Sequence, residues 1–150
     1  MNILFTAFKG SHNPSFQLVG QIATTYVLLT NSFRGLEKVI SLVRGDYDRV
    51  YMFGVDKNLT DSIRIETCAT MHSEMIHTSL DTSALEELLK TAEIPYSVSD
   101  MPTHHLCNAA YYHMLKKNPN AVFIHIPSSR GLCNKMMEKL IYAFKVLDLQ

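Results

Sequence analysis

YSVSDMPTHHLCNAAYYHMLKKNPNAVFIHIP, residues 96–127, decides the fold, because it reads as strand, helix and strand in immediate succession. Residues 96–99 are a short β-prone run and residues 103–117 a run of helix formers. Residues 121–127 (AVFIHIP) are apolar except for one histidine. A strand, a helix of a dozen or so residues and another strand make a βαβ unit. The alternation continues in both directions from this stretch. Upstream, residues 2–8 form an apolar run closed by a Gly/Ser/Asn/Pro turn, as a buried strand does. Asn13-Pro14 then supplies a helix cap and a proline at the first helical position for a helix over 15–24. Residues 25–29 read as a strand. Residues 34–44 place Leu36, Val39, Ile40 and Val43 on one helical face, and residues 49–55 (RVYMFGV) form a strand closed by Gly54 and Asp56.

Residues 62–70 alternate, with Ile63 and Ile65 on one side and Arg64 and Glu66 on the other, the period of a half-buried strand. Ser83 and Glu86 resemble a capping box opening a helix over 83–92. Leu132, Met136, Leu140, Phe144 and Leu147 form one stripe of a closing helix over 131–147. With no repeat, low-complexity segment or dividing linker, residues 1–150 read as a single α/β domain. Its sheet is mostly parallel, with helices on both faces. Sites in such folds gather beyond the carboxyl ends of strands. That directs attention to the segments after Phe8, Val55 and Asp100 and at the end of FIHIP.

Composition narrows the function classes. Forty-seven per cent apolar residues supply a core without a metal or disulfide staple. Lys+Arg and Asp+Glu both number 14 and form no blocks, which argues against a nucleic-acid or anionic-membrane partner. No stretch approaches the ~20 apolar residues of a membrane span, and MNILFTAFKG does not read as a signal peptide. Three cysteines without a CxxC pair fit free thiols in a reducing compartment, so a cytoplasmic location is expected.

Three residues stand out for chemistry. Cys107 lies near the first turn of the helix over 103–117, where unpaired N–H groups favour a thiolate. The plainer reading is a small buried thiol, as it is for Cys68 and Cys133. His125 interrupts an apolar strand near its carboxyl end. It is either a satisfied interior histidine or the base that activates a thiol on a neighbouring element. Glu66 is either a solvated strand carboxylate or the group that orients such a histidine. A metal cluster of His104, His105, Cys107 and His113 is the competing reading. Adjacent histidines in an extended segment point apart, His113 lies off the face of Cys107, and no HExxH, CxxC or HxH spacing occurs, so no metal is expected. The chain has no GxGxxG or Walker loop either, and no cofactor is expected.

These residues and the turns around them resemble the pyroglutamyl peptidase I (pyrrolidone-carboxylate peptidase) family of cysteine peptidases. ILFTAF and NPS at 13–15 are similar to that family's ILVTGF…NPS, and TNSFRG at 30–35 to its LPVxF segment. RVYMFGV fits its strand ending in Gly, and IRIETCA its ITVERVA. SDMPTHHLCN matches SNTAGTYVCN in register, and FIHIP is unchanged. The resemblance implies a phosphorylase/hydrolase-like three-layer sandwich. It also implies a thiol hydrolase that removes an N-terminal pyroglutamyl or similar small acyl group from a peptide. Cys107 would be the nucleophile, His125 the base and then acid, and Glu66 the orienting carboxylate. Phe8 and Asn13 would contact the acyl group, with His105 and Leu106 lining the site beside the cysteine. Members often form dimers or tetramers, so a homo-oligomer is compatible with it, although no residue pattern carries one.

The chain departs from the family in its pocket. FEPFGG becomes FKGSH, losing a second phenylalanine, and the AGTY before the cysteine becomes Pro102-Thr103-His104-His105. The GGR between Gly54 and Glu66 is missing and the chain is shorter. Two functions stay open: a hydrolase of altered acyl specificity, and a catalytically silent member that binds a peptide or small metabolite in the strand-end cleft. His104 and His105 read as replacements in a specificity turn.

Overall fold

The computed structural model describes residues 1–149. Its first strand, β1 (Ile3–Phe8), is buried on both faces, and so it is apolar throughout rather than alternating. The chain then turns through Gly10, whose φ of +138° suits only glycine. Helix α1 (Pro14–Ile22) follows, opened by Asn13, whose side chain accepts from the Ser15 N–H. Strand β2 (Val27–Leu29) leads to α2 (Phe33–Ser41), capped by Ser32, and then to β3 (Arg49–Val55). The remaining elements are β4 (Ile63–Glu66), β5 (Cys68–Met71), β6 (Glu74–His77), α3 (Ser83–Thr91), β7 (Tyr96–Ser99), α4 (His105–Lys117), β8 (Ala121–Ile126) and α5 (Asn134–Asp148).

Six strands form one sheet in the order β2-β1-β3-β8-β4-β7, while β5 and β6 form a separate hairpin. On one face, α1, α3 and α5 pack Leu18, Leu89, Leu140 and Phe144 against Phe5, Phe53 and Ile124. On the other, α2, α4 and the hairpin pack Leu36, Ala69 and Met114 against Leu4, Met52 and Phe123. The expected α/β sandwich, mostly parallel with helices on both faces, is therefore the observed one. No helix among the described residues is long and apolar enough to cross a membrane.

Four points differ from expectation. The strand expected over 62–70 is two strands in two sheets. Thr67 continues the β4–β7 ladder by donating its N–H to Ser99 O, after which Cys68 leaves to pair with His77. Strand β6 was not anticipated because its turn lacks the usual signal. His72 and Ser73 take φ of +52° and +65°, the geometry of a two-residue hairpin, without the glycine or asparagine that normally announces it. Finally, β4 runs antiparallel to β8, and β7 is parallel to β4. The carboxyl end of β7 is thus not at the edge where β1, β3 and β8 end. At α3 the helix begins one residue earlier than a Ser83 cap implies, with Thr82 at the cap and its hydroxyl donating to Glu86.

Candidate active site

Cys107 reaches the site across β7's reversed direction. The turn at residues 100–104 carries the chain back toward the ends of β3 and β8, and His105 enters α4 with φ of +67°. That backbone is uncommon for a residue bearing a Cβ, and it turns the first helical residues sharply over the sheet. The Cys107 sulfur comes to rest above Gly54. A Cβ built on Gly54 would meet Cys107 Sγ at 2.8 Å and the Phe123 ring at 2.7 Å, so this position on β3 must be glycine. Gly54 is the register partner of His125 on β8. Neighbouring strands lie about 4.8 Å apart, which sets the imidazole beside the residue over which the sulfur sits. Both side chains line the same cleft.

Behind the imidazole, His125 Nδ1 is 3.0 Å from Glu66 Oε1. His125 is 4% exposed and Glu66 2%, so this contact is made out of water. Strand β4 supplies the carboxylate because its period of two sends Ile63 and Ile65 into the core and Arg64 and Glu66 toward the opposite face. Arg64 Nε also donates to Glu66 Oε1, and Arg64 Nη2 donates to Asp56 Oδ2 at 2.7 Å. Glu66 Oε2 is buried without a hydrogen-bond partner.

Two cavities flank the sulfur. The larger, ≈ 680 Å³, is an open cleft walled by Asp56, Lys57 and Arg64 on one side and by residues 103–107 on the other. The smaller, ≈ 130 Å³, is lined by Phe8, Asn13, Asn31, Val55, Leu106 and Cys107. Asn13 Oδ1 accepts from both the N–H and the hydroxyl of Ser15, which leaves its amide nitrogen to donate into that pocket. Asn31 donates to Lys9 O, which leaves its amide oxygen to accept.

The thiol is not poised as position alone suggested. Cys107 is pushed up to about 12, chiefly by burial and additionally by the carboxylates of Asp56 and Glu66, while Arg64 pulls the other way. The expected helix-terminus depression is thus opposed by the low-dielectric seat over Gly54. Asp56 is held below its ordinary value: burial raises it, but the Asn58 N–H and the Arg64 guanidinium more than offset that.

The structure thus brings Cys107, His125 and Glu66 to one place, with Leu106 on both cavities, His105 on the large one, and Phe8 and Asn13 on the small one. It does not gather the four metal candidates. His104 and His105 stand edge to face with ring centroids 6.3 Å apart, and His113 lines a separate depression with Glu37 and Lys116. Among the described residues, no three His, Cys, Asp or Glu side chains are placed to hold one ion. Residues that sequence reasoning passed over are Gly54, Arg64, Asp56 and Asn31. Asp56 carried a usable signal as a charge directly after the buried strand β3, and so did Arg64, which shares the outward face of β4 with Glu66; Asn31 carried none.

No protein-family model and no curated protein matches the chain. Solved structures do resemble it. The pyrrolidone carboxyl peptidase of Thermus thermophilus superposes with a TM-score of 0.76 at 17% identity, covering 96% of this chain and 98% of that one. Pyroglutamyl peptidase I of Bacillus amyloliquefaciens gives 0.78 at 17% identity, over 99% and 97% of the two chains. The pyrrolidone carboxyl peptidase of Fervidobacterium islandicum gives 0.72 at 19%, over 97% and 95%. The chain has the fold of these peptidases across nearly its whole length.

Proposed function

We propose that the chain is a thiol peptidase of the pyroglutamyl type, which removes a small N-terminal acyl or lactam group from a peptide. The observation that carries this reading is the buried 3.0 Å contact of Glu66 with His125, beside a cysteine seated on the one strand position that lacks a side chain. Because the Cys107 thiol is pushed up to about 12, the reaction in this reading starts from a neutral thiol. His125 takes the thiol proton as the sulfur attacks the acyl carbon, and Glu66 stabilises the imidazolium that forms. The backbone N–H groups at the start of α4, where His104 offers no side-chain cap, are the donors for the oxyanion. His125 then protonates the leaving amine, and water hydrolyses the thioester. The small pocket suits the acyl group. Its Asn13 donor and Asn31 acceptor complement the carbonyl and N–H of an amide, and Phe8 offers an apolar wall. The open cleft takes the remainder of the peptide.

A second reading, a silent member that binds a peptide or metabolite without cleaving it, is favoured by the raised thiol and by His104 and His105 at the cleft wall. A fluorogenic pyroglutamyl amide assay separates the two. Turnover by the wild type that Cys107→Ala abolishes supports the peptidase, and no turnover by either protein, with saturable binding of the amide, supports the binding protein.

A further inference from the structure

The carboxylate that orients His125 is shared. Oε1 of Glu66 takes both the imidazole and the Arg64 guanidinium, while Oε2 takes neither. A planar guanidinium donates along fixed directions, and this one is anchored at its far side by Asp56. It therefore fixes the rotation of the carboxylate as well as offsetting its charge. Arg64 and Asp56 are 23% and 20% exposed, so their fields reach the buried pair less screened than those of surface charges.

We infer that Arg64 is a positioning residue for His125, acting through Glu66, and that Asp56 governs how strongly it acts. Asp56 and Arg64, the first two charges of the row Asp56–Arg64–Glu66–His125, would then move, in opposite directions, the pH at which Cys107 becomes nucleophilic. This rests on the reading of Cys107 and His125 as nucleophile and base. Removing a positive charge makes every nearby group hold its proton more tightly, and removing a negative charge does the reverse. The signs already visible at the sulfur agree: after burial, Asp56 and Glu66 raise the thiol and Arg64 lowers it. The other titratable groups facing the site are the exposed Lys57, beyond β3, and His104 and His105, at the start of α4, and the buried Cys68 and Tyr111, both raised chiefly by burial and also by Glu66. They are unchanged in the variants below, so they displace no curve relative to another.

The test needs no substrate. In a Cys133→Ser background, which removes the exposed thiol, alkylation of Cys107 by iodoacetamide is followed by mass spectrometry from pH 6 to 10. Arg64→Gln is expected to displace the log-rate curve upward by about one pH unit. Asp56→Asn should displace it downward by a smaller amount. Arg64→Lys keeps the charge and should leave the curve near the wild-type position. A purely structural role would slow all three without opposite displacements, and that outcome overturns the inference, as does no displacement at all. Should Arg64→Gln fail to fold, Asp56→Asn, at the cleft wall, carries the test alone through the sign of its shift. A curve that His125→Ala leaves unmoved would instead overturn the nucleophile–base pair itself, and the positioning role with it.

Discussion

Two helices of this protein begin at the same small pocket and begin differently. Helix α1 is closed at its start. Pro14 has no N–H to satisfy, and Asn13 accepts from the Ser15 N–H and the Ser15 hydroxyl, which itself accepts from Phe8 N. Helix α4 is left open: its cap residue is His104, no side chain caps it, and His105 enters with a positive φ. The first turn of any helix has N–H groups without intrahelical partners. At α1 the local sequence satisfies them, whereas at α4 they remain free beside Cys107. The difference teaches where local stability is forgone for a site. A serine or aspartate at position 104 would make a better helix, and its side chain would occupy the donors proposed above for an oxyanion.

The comparison can be broken in order of expected effect. Cys107→Ala should lower hydrolysis of a pyroglutamyl amide by more than about a thousandfold, measured by steady-state fluorescence, since nothing at α1 can replace the thiol. The same variant tests the raised thiol through stability. A group whose folded value stands at about 12 against an ordinary 9.0 leaves stability intact below pH 9 and erodes it as pH rises toward 12. Chemical denaturation should therefore show the wild type losing stability across that alkaline window more steeply than Cys107→Ala.

His104→Ser should close α4 as Asn13 closes α1. The expected outcome is a gain of about 1 kcal/mol in unfolding free energy together with a loss of about a hundredfold in kcat. Gain of stability without loss of rate would show that the free N–H groups have no part in the reaction. Gly54→Ala removes the seat of the sulfur. Overpacking against Cys107 Sγ and Phe123 should cost about 2 kcal/mol in thermal or chemical denaturation and slow alkylation of Cys107. The smallest effect is expected at the closed helix: Asn13→Ala should cost about 1 kcal/mol, with Asn13→Asp recovering most of the stability because a carboxylate also caps. Asp lacks the amide donor, so a rise in KM shared by both variants would assign that donor to substrate.

Much of the architecture was legible because the apolar pattern of the buried strands repeats so plainly. ILFTAF, RVYMFGV and AVFIHI are each β-strands, and Asn13-Pro14 caps α1 as its composition indicates. The three candidate site residues stood out as exceptions to that pattern: a histidine inside the apolar strand β8, a carboxylate at the end of β4 and a thiol at the start of α4. The hairpin β5–β6 was not legible, since His72 and Ser73 adopt left-handed backbone that their side chains do not announce. The reversal of β4 and β7 was also hidden, because a strand buried on one face shows the same period of two whichever way it runs.

By itself, then, the sequence determined most of the elements and the layers, and it marked Cys107, His125 and Glu66 as candidate groups, all of which follow from side-chain chemistry and short-range periodicity. Only the tertiary structure decided their energetics. It seats Cys107 over Gly54, where burial opposes the helix terminus, and it directs two donors to one oxygen of Glu66. The reason is physical. Proton affinity and charge coupling depend on distance and local dielectric between residues far apart in the chain, and these are fixed only when β3, β4, β8 and α4 are packed together.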